Sequence, residues 1–165
     1  PLGKCASDVN KMLTRLANVT YWLTGASRRR NICSRWAAAR VPGGIAGPDD
    51  RFVQVGADTY LGPSGRIDDL INHSCSPNAG LRFTGGGVFL IALRRIVAGE
   101  EIAWDYSTTL KDAGWAMECA CGSVECRGTI GDFADLPVDR QRWYIERGVV
   151  APHVRTPAMA AERAA

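Results

Sequence analysis

One short stretch, Asn72–Asn78 (NHSCSPN), constrains the fold of this chain more than any other. Pro77 fixes its own φ and has no backbone N–H, and Asn78 tolerates turn and left-handed geometry, so the stretch predicts a sharp bend. The apolar pair Leu70-Ile71 leads into it. A bend of this kind presents amide, imidazole and thiol groups from an otherwise buried backbone, which is typical of a ligand site.

Two further motifs follow the bend. Gly99–Tyr106 (GEEIAWDY) begins with a turn residue and ends in an Asp-Tyr pair. Cys119, Cys121 and Cys126 then form a Cys-x-Cys-x4-Cys arrangement. This spacing suits metal thiolates better than disulfides and favours a reducing compartment. We therefore expect a cytoplasmic location, while a nuclear location and delivery into a host cell stay open.

In this order and at this spacing, the three motifs resemble the SET domain of protein-lysine N-methyltransferases with its cysteine-rich post-SET segment, in a short, bacterial form. The resemblance runs from about Asp50 to about Phe133. It implies a mainly β fold, a β-clip of short strands with a pseudoknot, plus a small zinc-bound post-SET segment and short helices. The expected division is a divergent N-terminal segment (1–49), a SET core (50–118), a post-SET zinc segment (119–133), and a C-terminal helix with a tail (134–165).

Two helices are predicted from local signals. Apolar residues recur at helical spacing over residues 8–23 and predict a helix there. A Gly/Pro-rich loop follows this helix within the N-terminal segment. Pro137 and Gly148 delimit a second helix over 138–147, because proline suits a first turn and glycine a position past the last one. Residues 149–165 carry little pattern and are predicted to be a frayed tail.

The strands are predicted from apolar runs between turn residues. Residues 37–49 are rich in Ala, Gly and Pro and predict a loop or linker. Glycines at 85–87 predict a hairpin turn. The expected strands lie around Phe52–Val55, Tyr60–Leu61, Leu81–Phe83, Val88–Leu93 and Glu101–Tyr106.

The resemblance also implies roles for individual residues. Tyr106 corresponds to the catalytic residue of these enzymes. The cofactor S-adenosylmethionine is expected to contact Asn72, His73, Tyr106 and Phe133. The lysine channel is expected to contain Trp104, Tyr106 and Ile130.

Physical chemistry is consistent with the role of Tyr106. Methyl transfer to an amine is an in-line displacement, so catalysis depends chiefly on alignment. A tyrosine hydroxyl supplies a polar oxygen near the partly positive methyl group without competing as a nucleophile. A free lysine has a pKa of about 10.4, and an apolar channel favours the neutral form that reacts. Taken alone, a tyrosine on a strand is more often a packed core residue.

Three thiolates, from Cys119, Cys121 and Cys126, leave a structural zinc ion one ligand short of the four it takes. The resemblance implies that Cys75 of the bend is the fourth. The alternative is a set of reduced thiols that holds no metal. Cys5 and Cys33 stand apart in the sequence and are expected to be buried or idle thiols.

Composition limits the partners that we expect. A net charge of +3 over 165 residues is too small to argue for nucleic acid, and no apolar run reaches the 18 or so residues of a membrane helix. We expect a monomer that acts on a protein substrate carrying a lysine. An alternative is a catalytically impaired SET-like interaction module, because Pro42–Gly47 has glycines but lacks the Gly-x-Gly strand with which such domains open. A thiol enzyme using His73 and Cys75 is a weaker alternative.

Overall fold

Short antiparallel strands form small sheets in the computed structural model, which describes residues 34–35, 39–42, 51–85, 87–111 and 114–155. This confirms the predicted mainly β fold. The longest strands among the described residues have six residues. In chain order the strands are β1 (Ser34–Arg35), β2 (Arg40–Pro42), β3 (Val53–Gly56), β4 (Thr59–Leu61), β5 (Ala79–Thr84), β6 (Gly87–Ala92), β7 (Met117–Glu118) and β8 (Thr129–Ile130).

Strands β5 and β6 form the predicted hairpin, and β1 pairs with the outer side of β6. Gly87 begins β6 with φ of 132°, a backbone conformation that glycine adopts at no steric cost. Leu81 and Leu90 face each other across the hairpin and are both buried. The alternation of apolar residues along each strand therefore sets the register.

The second sheet has the order β2-β4-β3. Here the prediction of a loop over residues 37–49 is wrong for Arg40–Pro42, which pairs antiparallel with β4. Pro42 lies at an edge strand, where its missing N–H costs no ladder bond. Together with β1, this strand shows that residues ahead of position 50 contribute to both sheets.

One apolar cluster joins the two sheets to the bend. Its buried members come from β3 to β6 and from the segment that precedes Tyr106. They are Val53, Leu61, Ile71, Ala79, Leu81, Val88, Leu90, Ile102 and Trp104. The segment that carries Ile102 and Trp104 was predicted to be a strand over residues 101–106, and the structure shows that it is not a continuous strand. It makes isolated bridges, and a 3-10 turn (Tyr106–Thr108) begins where the strand was expected to end.

The C-terminal helix α1 spans Val138–Arg147, as predicted. Gly148 ends it in the left-handed conformation, with φ of 68°. The prediction of a frayed tail is wrong for residues 149–155, because Val149, Val150 and Ala151 are fully buried. The tail turns back after Gly148 and packs against β5, where a Cβ on Gly80 would lie only 2.9 Å from Val149.

Some predictions fall outside the described residues. The helix over 8–23 and the tail beyond residue 155 belong to this group. Among the residues that the structure does describe, no helix is both long enough and apolar enough to span a bilayer.

Candidate active site and metal centre

Backbone hydrogen bonds join the bend to the segment that carries Trp104. Ser74 N–H donates to the carbonyl of Trp104 over 3.1 Å, and Trp104 N–H donates to the carbonyl of Asn72 over 3.2 Å. His73 and Trp104 thus form a parallel bridge. Two motifs about thirty residues apart in sequence are therefore held side by side.

Asn78 fastens the same two segments from the far end of the bend. Its side-chain oxygen accepts the N–H of Ala103 over 3.1 Å, and its amide nitrogen donates to the carbonyl of Glu101 over 2.6 Å. The same nitrogen lies 3.0 Å from a carboxylate oxygen of Glu100. Asn78 is buried, so the sequence signal that predicted only a turn residue understated its role.

Tyr106 lies where the bend meets this segment. Its hydroxyl donates to the carbonyl of Ile71 over 2.8 Å. Its ring centroid is 4.8 Å from that of Trp104 and 5.3 Å from that of His73, with the His73 ring edge-on. These contacts fix the direction of the phenol and leave part of it exposed to solvent.

The imidazole of His73 connects Tyr106 to the cysteines. Its Nδ1 accepts the backbone N–H of Tyr106 over 3.2 Å, so the proton of the neutral ring lies on Nε2. Nε2 is 3.3 Å from the sulfur of Cys75 and is placed to donate to it. Burial lowers the pKa of His73 to about 4 despite the nearby carboxylate of Asp105, so the ring is neutral at physiological pH.

Asn72, which is also predicted to contact the cofactor, lies at the surface. Its amide nitrogen donates to a carboxylate oxygen of Glu101 over 2.7 Å. Of the four predicted cofactor contacts, Asn72 and His73 are thus engaged with neighbouring protein groups. Their role toward a cofactor stays a prediction.

Two distances between cysteine sulfurs match the spacing of ligands in a tetrahedral metal centre. Cys119 Sγ lies 3.7 Å from Cys75 Sγ and 3.7 Å from Cys126 Sγ. With zinc–sulfur bonds of about 2.3 Å, the edge of a regular tetrahedron is about 3.8 Å. The ligand atoms of His73, Cys75, Cys119 and Cys121 all lie within 4.8 Å of one another. This group contains His73 and does not include the predicted ligand Cys126, whose sulfur lies beside that of Cys119. Three thiols with one imidazole, or four thiols, are both donor sets that fit a structural zinc ion.

The electrostatics of the thiols also fit a cation. Burial raises the pKa of Cys75 and raises that of Cys119 to about 12, so both stay protonated without a metal. Burial also opposes ionisation of Cys121, but hydrogen bonds with the backbone of Cys75 and with Ser123 lower its pKa to about 6. Metal binding is therefore expected to release protons from the buried pair.

Asp105 is the residue of this region that sequence reasoning missed. Its carboxylate is completely buried and forms a bidentate pair with the guanidinium of Arg127, at 2.8 Å for each bond. The hydroxyl of Tyr144 on α1 donates to the same carboxylate over 2.8 Å. The only sequence signal was its position next to Tyr106, since its partners lie 22 and 39 residues further along the chain.

The remaining predicted residues fall in different clusters. Ile130 is buried beside Cys75 and Cys119, and Tyr106 packs against that cluster. Trp104 belongs to the cluster between the sheets. Phe133 is buried among residues of α1 and the segment after it. Tyr106 packs against the first two of these clusters.

The chain is similar to one protein family and to several named relatives. The model of a family described as the SET domain matches residues 11–107. The human protein "Histone-lysine N-methyltransferase 2B" is 39% identical over 67 residues, which make up 38% of this chain and 2% of that protein. "Histone-lysine N-methyltransferase ash1" of Drosophila melanogaster is 37% identical over 66 residues, or 38% of this chain and 3% of that protein.

A fungal relative is similar to the same extent. "Histone-lysine N-methyltransferase, H3 lysine-4 specific" of Cryptococcus neoformans is 39% identical over 69 residues, which cover 39% of this chain and 5% of that protein. The chain thus spans only a small part of the length of the curated relatives that it matches. The family match begins at residue 11, well ahead of the predicted start of the core at 50.

Proposed function

Because this chain belongs to the SET domain family, we propose that it is a protein-lysine N-methyltransferase that uses S-adenosylmethionine. The observation that carries the proposal is the position of Tyr106, hydrogen-bonded to the Ile71 carbonyl and packed on Trp104 and His73. The named relatives, which this chain matches over 2% to 5% of their length, are named as histone-lysine N-methyltransferases. The proposed substrate class is a protein with an accessible lysine.

When bound, S-adenosylmethionine supplies an electrophilic methyl group on a sulfonium. A neutral lysine amine would form the new bond to this carbon as the bond to sulfur breaks, and the extra proton of the methylated amine would be released to solvent once the product leaves the site. The hydroxyl of Tyr106 donates to the Ile71 carbonyl, and its oxygen would act as an acceptor that stabilises a partly positive methyl group. The buried ring of Trp104 beside it excludes water and favours the neutral amine.

We also propose that Cys75, Cys119, Cys121 and Cys126 hold a structural zinc ion. His73 is the closest competitor for a ligand position, but its Nδ1 accepts the Tyr106 N–H, which leaves a proton on Nε2. That N–H suits a donor to the sulfur of Cys75 rather than a metal ligand. The ion would then fasten the cysteines to the bend and, through His73, to Tyr106.

Replacing Tyr106 with Phe tests the proposed chemistry. Methyl transfer to a panel of lysine peptides should fall about a hundredfold or more, since one preorganised polar group near a transition state is worth about that much. Zinc content by elemental analysis should not change, and the free energy of unfolding should fall by only about 1 kcal/mol for the lost hydrogen bond to Ile71. Tyr60→Phe makes the same chemical change at a tyrosine on strand β4 and is the matched control. Unchanged transfer by the Tyr106→Phe protein would contradict the proposal.

A second candidate is an interaction module that keeps the fold and transfers nothing. It is favoured by the engagement of Asn72 with Glu101 and of both ring nitrogens of His73 with protein groups. Calorimetry of the zinc-loaded chain with S-adenosylmethionine separates the two. Micromolar binding supports the enzyme, and absent binding with cooperative unfolding supports the module.

A further inference from the structure

The C-terminal segment, residues 133–155, lies after the region that the family model matches, yet it reaches the residue next to Tyr106. We propose that Tyr144 and Arg127 are positioning residues for Tyr106, acting through the buried carboxylate of Asp105. This inference rests on the proposed function for its kinetic test. It assigns the C-terminal segment a part in the active site.

The carboxylate of Asp105 accepts four hydrogen bonds, two of them from Arg127, one from Tyr144 and one from Ser107 of its own turn. One oxygen accepts Arg127 Nη2 over 2.8 Å and the N–H of Ser107 over 3.1 Å. The other accepts Arg127 Nη1 and the hydroxyl of Tyr144, each over 2.8 Å. A bidentate arginine pair fixes the plane of the carboxylate, and Tyr144 fixes it from the side of α1.

This orientation controls the turn that carries Tyr106. Asp105 is the cap of the 3-10 turn Tyr106–Thr108, and its side chain accepts the N–H of Ser107 within that turn. A three-residue turn has few bonds of its own, so the cap decides whether it persists. If the carboxylate rotates, the Tyr106 backbone moves, and its hydroxyl leaves the Ile71 carbonyl.

Two more contacts bring the C-terminal segment onto the same turn. Ala151 N–H donates to the carbonyl of Thr108 over 2.9 Å. The Nε2 of His153 lies 2.9 Å from the carbonyl of Thr109 and donates to it. Burial, with a contribution from Asp105, raises the pKa of Tyr144, so its hydroxyl stays a donor. The segment therefore holds the turn through several polar bonds as well as through packing.

The test replaces Tyr144 with Phe, which removes one donor and keeps the ring. The kcat for methyl transfer should fall about tenfold, as expected for one lost hydrogen bond to a charged group. The KM values for S-adenosylmethionine and peptide, and the zinc content, should stay within about twofold, because no ligand contact is removed.

Gln141→Leu is the matched control. Gln141 donates to the carbonyls of Ala134 and Leu136 and so fastens α1 without touching Asp105. This variant should lower the unfolding temperature and leave kcat unchanged at temperatures where the protein is folded. An equal loss of kcat in both variants would overturn the proposal, because the effect would then be general loosening of α1.

A second measurement separates failure of this inference from failure of the proposed function. Amide hydrogen exchange on the zinc-loaded chain should show faster exchange at Ser107 to Thr109 in Tyr144→Phe than in Gln141→Leu or the unchanged protein. The exchange measurement does not require activity. If the chain transferred no methyl group but exchange rose at this turn, the proposed enzyme activity would be refuted and the positioning role would stand. Equal exchange at this turn in all three proteins would overturn the positioning role.

Discussion

Two neighbouring segments flank Asp105 and Tyr106, and they are stabilised in opposite ways. The cysteine segment, residues 115–130, has a ladder of only two residue pairs between β7 and β8, and its buried residues are Cys119 and Ile130. The C-terminal segment, residues 133–155, buries eight apolar residues in one cluster. The first has too little apolar surface to fold by burial, whereas the second does not need a ligand.

The difference shows how one active site can depend on two separate sources of stability. Arg127 reaches Asp105 from the cysteine segment, and Tyr144 reaches it from the C-terminal segment. If both proposals hold, the position of Tyr106 depends on the metal and on the apolar core together. Disturbing each source separately should produce distinct effects.

Metal removal should have the largest effect, and it should act on one segment only. Chelation of the zinc-loaded protein should abolish methyl transfer and leave amides 117–130 exchanging at nearly unfolded rates, since zinc binding is folding energy for such a segment. Amides of α1 should keep their protection. Hydrogen exchange with and without chelator measures both. Loss of protection in α1 to the same degree would mean that the two segments form one cooperative unit.

Packing between Gly80 and Val149 tests the other segment. Gly80→Ala would put a Cβ at 2.9 Å from Val149 and should cost about 1–3 kcal/mol of unfolding free energy, since overpacking forces side chains off their rotamers. Val149→Ala should cost about 2 kcal/mol through two lost methyl groups. The double variant should cost less than the sum, because the smaller side chain makes room for the new methyl.

Chemical denaturation gives these free energies, and zinc affinity provides the control. Neither variant touches the cysteines, so metal binding should be unchanged. Additive costs in the double variant would show that the backbone, rather than Val149, responds to the added methyl. A fall in zinc affinity would contradict the separation of the two segments.

The sequence predicted those parts of the fold that local signals determine. Pro137 and Gly148 placed both ends of α1, and the glycines before β6 placed the hairpin. The strand expected over 101–106 was wrong because its apolar residues pair with the bend through single bridges rather than a ladder. Strand propensity cannot distinguish a full ladder from single bridges, since both arrangements bury the same side chains.

For a related reason, the sequence could not predict the burial of residues 149–155 or the hydrogen-bond partners of Asp105. The run Val149–Ala151 is too short to show a period, and its burial depends on the gap that Gly80 leaves on β5. The partners of Asp105 are separated from it by 22 and 39 residues with no repeating pattern. For Tyr106, Cys75 and the later cysteines, a family resemblance supplied the long-range information that periodicity lacks.

The weakest expected effect comes from the exposed contact that also joins the two segments. Glu125 in the cysteine segment pairs with Arg140 on α1 and accepts the hydroxyl of Ser76 over 2.7 Å. Hydrogen bonds with Ser76 and with Arg140 lower the pKa of Glu125, so any stabilisation is present at neutral pH and is lost in acid as the carboxylate protonates. Exposed pairs of this kind contribute little and are screened by salt.

Glu125→Gln should therefore leave kcat, zinc content and the unfolding temperature unchanged, at low and at high salt. The carboxylate of Asp105 joins the same two segments, but it is buried and neither water nor salt can substitute for its donors. If Glu125→Gln lowered kcat as much as Tyr144→Phe, communication between the segments would run over the surface. Because a buried carboxylate has no competing solvent, we expect the coupling to run through Asp105 rather than through Glu125.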